Sequence, residues 1–428
     1  METGGIPFIS GFYMAEVSSR SPILAGFQQT FSALKHPNYR LWFAGQLVSL
    51  VGSWMQSTAQ GYLIYQLTGS TEFLGYVSFA SGFPTWLFTL YAGVVGDRIS
   101  RRAMLIITQT TMMLLAFAMA TLVFTGAIQP WHIILLAFLG GVANAFDAPV
   151  RQSFVVELVE REDMANAIAL NATMFNGAVV IGPAIGALVY DLVGPGWCFT
   201  LNAISFLAVI AALALMHILP VGRPVRKNSA IQDMRDGFRF VKNSPAVSAV
   251  IVNIAFFSLF GFSVLTLVPA WAVKILGGGV TTNGWLLSAR GIGSLVAALM
   301  IAYLSRRQIK GKLWFIGNMT MPLLLILFAV TAWLPLSLVL MVLIGWAFMM
   351  VTNSSNALIQ DQVPDQLRSR VMGIYTLIFF GMNPIGSLIV GWLAEAIGEQ
   401  PTVLIYGAIL LVTSIVIAFR LPHVKKLP

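Results

Sequence analysis

Runs of roughly 20 or more mostly apolar residues, the length that carries a helix across ~30 Å of hydrocarbon, recur from Leu41 almost to the end of the 428-residue chain. Nothing else in the sequence constrains the fold as much. In lipid every backbone N–H and C=O must be satisfied within the spanning element, and a helix does this alone. Twelve spans are read, at about 41–66, 73–95, 103–126, 130–150, 165–191, 197–218, 246–275, 284–304, 313–333, 336–358, 371–397 and 401–420. The ninth and tenth are divided only by "WLPLS". With 57% hydrophobic and 10% charged residues, the chain lies outside the range of soluble globular proteins. The expectation is an all-α integral membrane protein.

The net charge of +9 would suit a nucleic-acid binder if the basic residues were clustered for that purpose. They are instead distributed by topology. If both termini lie on one side, the segments on that side hold 23 of the 25 Lys and Arg, leaving only Lys274 and Arg290 elsewhere. The positive-inside rule then puts both termini in the cytoplasm, and nucleic acid is not needed as a partner; the expected location is a cell membrane of the bacterial inner or plasma type. No basic n-region with h-region and cleavage site opens the chain, so no cleaved signal peptide is expected. Ile23, Leu24, Phe27, Phe31 and Leu34 fall at helical spacing, as in an interfacial helix leading into the first span. Cys198 is the one cysteine, which excludes an intrachain disulfide, and it reads as a packing residue.

The first span contains polar side chains at Gln46, Ser49, Ser53, Gln56 and Gln60. Steps of three and four residues put all five within an arc of about 80° at 100° per residue, so they form one stripe that must face away from lipid. Such a stripe either hydrogen-bonds to neighbouring helices or lines a cavity.

The longest polar interval, residues 219–245, divides the chain into six spans and six. The expected organisation is a segment 1–40, a bundle 41–218, a linker 219–245, a bundle 246–420 and a tail 421–428. A shift of 207 to 209 residues brings Pro37 near Pro245, Gly75 onto Gly284, Gly82 onto Gly291 and Asn144 onto Asn353. Parallel repeats of this kind are a transporter architecture, with substrate held near mid-depth between the halves. The shift carries the stripe to Asn253, Phe256, Phe260, Ser263 and Leu267. One cavity wall is then expected to be hydrogen-bonding and the facing wall mostly aromatic and aliphatic, which suits an amphipathic solute.

The loop after the second span reads "GVVGDRISRRAML". Gly93, Asp97, Arg98, Arg101 and Arg102 resemble the G-x3-D-[RK]-x-G-[RK]-[RK] signature of the major facilitator superfamily, with Ser100 where glycine is usual. The stretches "FDAPVRQSFVVELVERED", "NAIALN" and "GSWMQSTAQ" are similar to the branch of enterobactin exporters and macrolide efflux proteins. The resemblance implies the major facilitator fold, twelve transmembrane helices in two six-helix pseudo-repeats. It also implies that the loop is a conformational latch in which Asp97 faces the N-terminus of the eleventh helix. The alternative for the three arginines is topology alone. Asn144, Asp147 and Arg151 share one face of the fourth span, with Asp147 four residues before Arg151, as for a gating ion pair, a proton carrier or an inert interfacial pair. Their second-half counterparts are Asn353, Asn356 and Gln360.

Arg290 is the one basic residue well inside a span, roughly 9 Å from its outer end at 1.5 Å per residue. Three readings stand: snorkelling, a partner for a carboxylate, or an anchor for an anionic or carbonyl-bearing substrate. Gly182, Pro183 and Gly186 resemble the G-P-x-x-G core of the antiporter motif, but Ala178 and Ala187 depart from it, and close helix packing reads equally well. No carboxylate maps near mid-depth, no ATP-binding loop or metal-ligand cluster is present, and no cofactor is expected. The chain is therefore expected to be a non-enzymatic secondary transporter, acting as a monomer. It exports amphipathic small molecules by alternating access, and the family resemblance implies proton coupling. The alternatives are a siderophore-type anion exporter, a lysolipid flippase and a non-transporting membrane sensor.

Overall fold

The computed structural model describes residues 31–217, 230–304 and 309–420, and only the backbone of 89–98, 230, 231 and 233. Ile23, Leu24 and Phe27 of the expected interfacial helix, residues 219–229 of the linker and the tail thus lie outside the described residues. All regular structure among the described residues is helical: α1 (Pro37–Thr68), α2 (Thr71–Arg98), α3 (Arg101–Phe124), α4 (Pro130–Phe154), α5 (Met164–Val193), α6 (Pro195–Leu215), α7 (Ala230–Asn243), α8 (Pro245–Ile275), α9 (Val280–Leu304), α10 (Lys310–Ala329), α11 (Leu334–Gln362), α12 (Asp365–Ile397) and α13 (Glu399–Arg420). Ten of these, α3–α6 and α8–α13, are long and apolar enough to cross a membrane. The 32-residue α1 and 28-residue α2 have the length but are not in that group. In α1 the stripe of glutamines and serines dilutes the apolar character.

Proline and glycine punctuate the bundle. Pro37, Pro130, Pro195 and Pro245 occupy the first turns of their helices, where a missing N–H costs nothing. Gly69, Gly194 and Gly398 follow helix ends at φ of 64°, 90° and 91°, a conformation that a Cβ would strain. The division at "WLPLS" falls between Ala329 and Leu334. Ahead of α1, Phe31 precedes and Leu34 lies within a single 3-10 turn, Ser32–Lys35, rather than a longer helix. Asp163, before α5, holds Lys35 at 2.6 Å and His36 at 2.8 Å. The hydrogen bond to this carboxylate raises the Lys35 pKa above its ordinary value.

We call the end of the bundle where α1 begins and α13 finishes the terminal end, and the opposite one the far end. The chain before and after residues 218–229 meets mainly along two helix pairs, α2 with α12 and α5 with α9. Glycines make both possible. A Cβ on Gly75 would sit 2.9 Å from the Ser387 carbonyl, and one on Gly284 2.8 Å from that of Pro183. One step further along each pair, Gly82 faces Pro384 and Gly291 faces the Val179 carbonyl. Helix α7 docks on the start of α12 through Asp236 and Arg370, 2.9 Å apart.

Helix α8 departs from the continuous helix expected. It is α-helical to Phe256, widens into π turns at Phe257–Phe262, tightens to 3-10 at Ser263–Leu267, and widens again at Trp271–Ile275. Pro269 lacks the N–H that a regular α-helix requires there. Each change of helical pitch rotates the residues that follow, so the face presented by the first half of α8 is not the face presented by the second.

Candidate functional site

A cavity of about 480 Å³ lies between the two helix groups. Helix α1 contributes Trp54, Ser57 and Gly61, α4 contributes Asn144 and Gln152, and α8 contributes Phe262, Thr266 and Pro269. Across from them stand Asn283 and Arg290 on α9, and Thr376, Phe380, Asn383 and Ser387 on α12. A second chamber of about 420 Å³ sits within the first helix group and shares Ser57, Ser78, Ser81 and Asn144 with the first. Arg290 is the one charged residue in either wall among the described residues.

The predicted stripe on α1 divides between its two readings. Ser53, Gln56 and Gln60 line the second chamber, where Gln56 Oε1 accepts from Asn202 Nδ2 at 2.7 Å. Gln46 and Ser49, at 1% and 2% exposure, are packed between helices and line neither chamber. The facing wall predicted on α8 is corrected. Asn253 and Ser263 are buried, the Ser263 hydroxyl donates to the Leu259 carbonyl, Phe260 packs edge-on against Tyr406, and Phe256 lies on the surface. None of the four lines a chamber; Phe262, Leu265, Thr266 and Pro269 do. For Phe260 and Ser263 the repeat shift assumed a constant α-helical pitch that the π and 3-10 turns from Phe257 onward do not keep; Asn253 and Phe256 lie ahead of those turns, in the regular part of α8.

The wall on α12 was not anticipated. Thr376, Phe380, Asn383 and Ser387 step by four, three and four residues, the same one-face spacing as the stripe on α1. Two of its members are a phenylalanine and a serine, too common in an apolar run to stand out.

At the terminal end the Gly93, Asp97 and Arg98 side chains lie outside the described residues. Arg101 donates to Glu157 Oε1 at 2.5 Å and to the Ser153 carbonyl at 3.1 Å; Arg102 donates to the Ala214 carbonyl at 2.9 Å. Ser100, in place of the motif glycine, caps α3 by accepting from the Ala103 N–H. Asp147 receives neither Arg101 nor Arg102. It is 1% exposed, accepts from Thr108 Oγ1 at 2.8 Å and Gln109 Nε2 at 2.9 Å, and stands 3.4 Å from Arg151 Nε. Gly182 and Gly186 let α5 close on α1, with the Gly186 Cβ position 2.9 Å from the Met55 carbonyl; Pro183 reaches the cavity wall.

The central cavity reaches Gln152, near the end of α4, and, at the far end, Leu74 and Asn283 in the first turns of α2 and α9. There Glu395 Oε2 accepts from the Thr71 N–H at 2.8 Å, the Ser70 hydroxyl at 2.9 Å and the Thr71 hydroxyl at 3.1 Å, capping the first turn of α2. Trp392 Nε1 donates to Tyr76 Oη at 3.2 Å, and Lys274 pairs with Glu399 at 2.9 Å while lying 5.9 Å from the Tyr65 ring centre.

Comparison with known proteins adds four findings. A major facilitator family model described as transmembrane secretion effector matches residues 28–427. The multidrug efflux pump Tap of Mycolicibacterium fortuitum is 26% identical over 89% of this chain and 95% of its own length. For enterobactin exporter EntS of Shigella boydii serotype 4 the values are 23%, 91% and 93%. Among solved structures, a substituted variant of nucleoside transporter NupG superposes with a TM-score of 0.75 at 17% identity, covering 90% of this chain and 99% of that one.

Proposed function

The chain belongs to the transmembrane secretion effector family of the major facilitator superfamily, a family of transporters and not of enzymes, and from that premise we propose that it exports amphipathic small molecules by alternating access. One observation carries this reading: a cavity with mixed aromatic and amide walls lies between two helix groups and extends to Gln152 near the terminal end, while Glu395 ties α12 to α2 at the far end. We read α1–α6 and α8–α13 as twelve spans in two pseudo-repeats. The glycine pairs Gly75, Gly82 and Gly284, Gly291, related by 209 residues, support this because each makes one of the two contacts between halves. The distribution of Lys and Arg supports cytoplasmic termini, so the geometry corresponds to an inward-facing state.

The cycle follows from the contacts. Solute enters from the cytoplasm, and the halves rock about α2–α12 and α5–α9 while the contacts of Glu395 break and the terminal end closes. Asp97 and the following arginines are proposed to close that end. Coupling to protons is part of the proposal, with Asp147 its candidate carrier, three residues from the cavity-lining Asn144. In everted vesicles a solute of this class is expected to accumulate when the interior is acidified, and to stop when an ionophore removes the pH gradient. Accumulation unchanged by the ionophore would discard proton coupling.

Selectivity is expected to follow the cavity as observed. Phe262→Ala should change the ratio of transport rates between a large aromatic and a small aliphatic solute by about fivefold or more, since one aromatic contact is worth ~1 kcal/mol. Phe256→Ala should leave the ratio alone. Equal responses of the two variants in a proteoliposome assay would remove α8 from the solute pathway.

A further inference from the structure

Arg290 is a cation in the central cavity wall with no counter-ion among the described residues. The sequence left three readings for it, and the structure bears on each. Snorkelling would bring the guanidinium to the surface, yet the residue is 6% exposed, with Cζ 5.9 Å from the Phe348 ring centre. An internal partner would be a carboxylate, yet among the described residues no carboxylate pairs with it, and neither chamber wall contains Asp or Glu. Its Nε is buried and donates to no acceptor among the described residues. Two turns away on the same helix, Asn283 also lines the cavity; it is fully buried, with neither its amide oxygen nor its amide nitrogen hydrogen-bonded.

Buried polar groups in folded proteins are satisfied almost without exception, and a buried charge is paired. Of the three residues with such open groups along α9, Ser288 lines neither chamber, while Arg290 and Asn283 are both on the wall of one cavity and mark where a solute supplies the missing partners. We infer that Arg290 is the anion-binding residue of the cavity, so that the preferred solute is an amphiphile bearing an acidic group such as a carboxylate, sulfonate or phosphate ester. This deepens the reading of the cavity as the transport site and rests on it. The planar guanidinium accepts two oxygens of one acidic group side by side, which a neutral carbonyl cannot provide. The apolar body lies against Trp54, Phe262 and Phe380. Asn283, about 10 Å further along the axis at 1.5 Å per residue, is left to hydrogen-bond a neutral polar group at the other end of the solute. Lipophilic cations are repelled, because the wall offers them a positive charge and no negative one.

The test uses matched pairs: dansyl-labelled and aryl-alkyl carboxylates of several chain lengths, each with its methyl ester, titrated near neutral pH into the purified full-length protein. The wild-type protein is expected to bind the acids at least about tenfold tighter than their esters. Arg290→Gln should lower acid affinity to the ester level and leave ester affinity unchanged, while Arg290→Lys should keep part of the preference. The ligand-free Arg290→Gln protein should melt at or above the wild-type temperature, since an unpaired buried charge has been removed. Equal binding of acid and ester by the wild-type protein overturns the inference whatever the variants do, and leaves the cavity as a transport site. Binding of neither, by protein that melts cooperatively, overturns the cavity reading and the inference together.

Discussion

Joining Ser70→Cys to Glu395→Cys with a short reducible thiol crosslinker is expected to cut transport to below about a tenth of the uncrosslinked rate, and reduction to restore it. The two residues meet at the far end, where Glu395 caps the first turn of α2. If solute leaves through that end, α2 and α12 must separate there in every cycle, and a covalent tie arrests the protein in the state described. Unlike a point substitution, the tie acts on motion and not on affinity. The background is clean because Cys198 is the one native cysteine and is fully buried. Each single-cysteine variant treated with the same reagent serves as the control. Transport at the wild-type rate with the link in place would show that the far end need not open, and alternating access would fall with it.

Asp147→Ala is expected to destabilise the bundle by about 3 kcal/mol, the lower edge of the ~3–5 kcal/mol seen when one member of a buried pair is removed. The carboxylate is 1% exposed and serves two hydroxyl and amide donors on α3 as well as Arg151. Its loss leaves Thr108, Gln109 and Arg151 facing an empty acceptor site. Arg151 retains access to solvent, with a side chain 22% exposed, and this relaxation keeps the cost from reaching the upper edge. Asp147→Asn keeps an acceptor for Thr108 and should lose roughly half as much. Thermal unfolding in detergent separates this from the alternative, a surface pair worth ~0–1 kcal/mol. A melting temperature for Asp147→Ala within a degree or so of wild type would make Asp147 dispensable to the fold.

The stripe on α1 and the residue Arg290 show how far the sequence reaches toward the site. Both were legible because a polar group inside an apolar run is costly, so its presence signals either a partner or a cavity. Which of the two applies was not legible. Gln46 and Gln60 belong to one stripe, yet the first is packed between helices and the second lines a chamber, a distinction set by where the neighbouring helices diverge. Phe260 and Phe262 differ only in which side of an irregular helix they occupy. Hydropathy carries no mark of a π turn, so the repeat shift selected the wrong pair.

By itself the sequence determined the helical class, the apolar runs that ten of the helices carry, and the membership signalled by the loop after α2. These depend on the cost of placing backbone and charge in hydrocarbon, a property of each segment alone. The tertiary structure decided which faces enclose the cavity, that Glu395 ties α12 to α2 at the far end, and that the Arg290 Nε and the Asn283 amide find no partner among the described residues. These depend on the pairing of α2 with α12 and α5 with α9, and on changes of pitch within α8, so they exist only once distant segments are packed together.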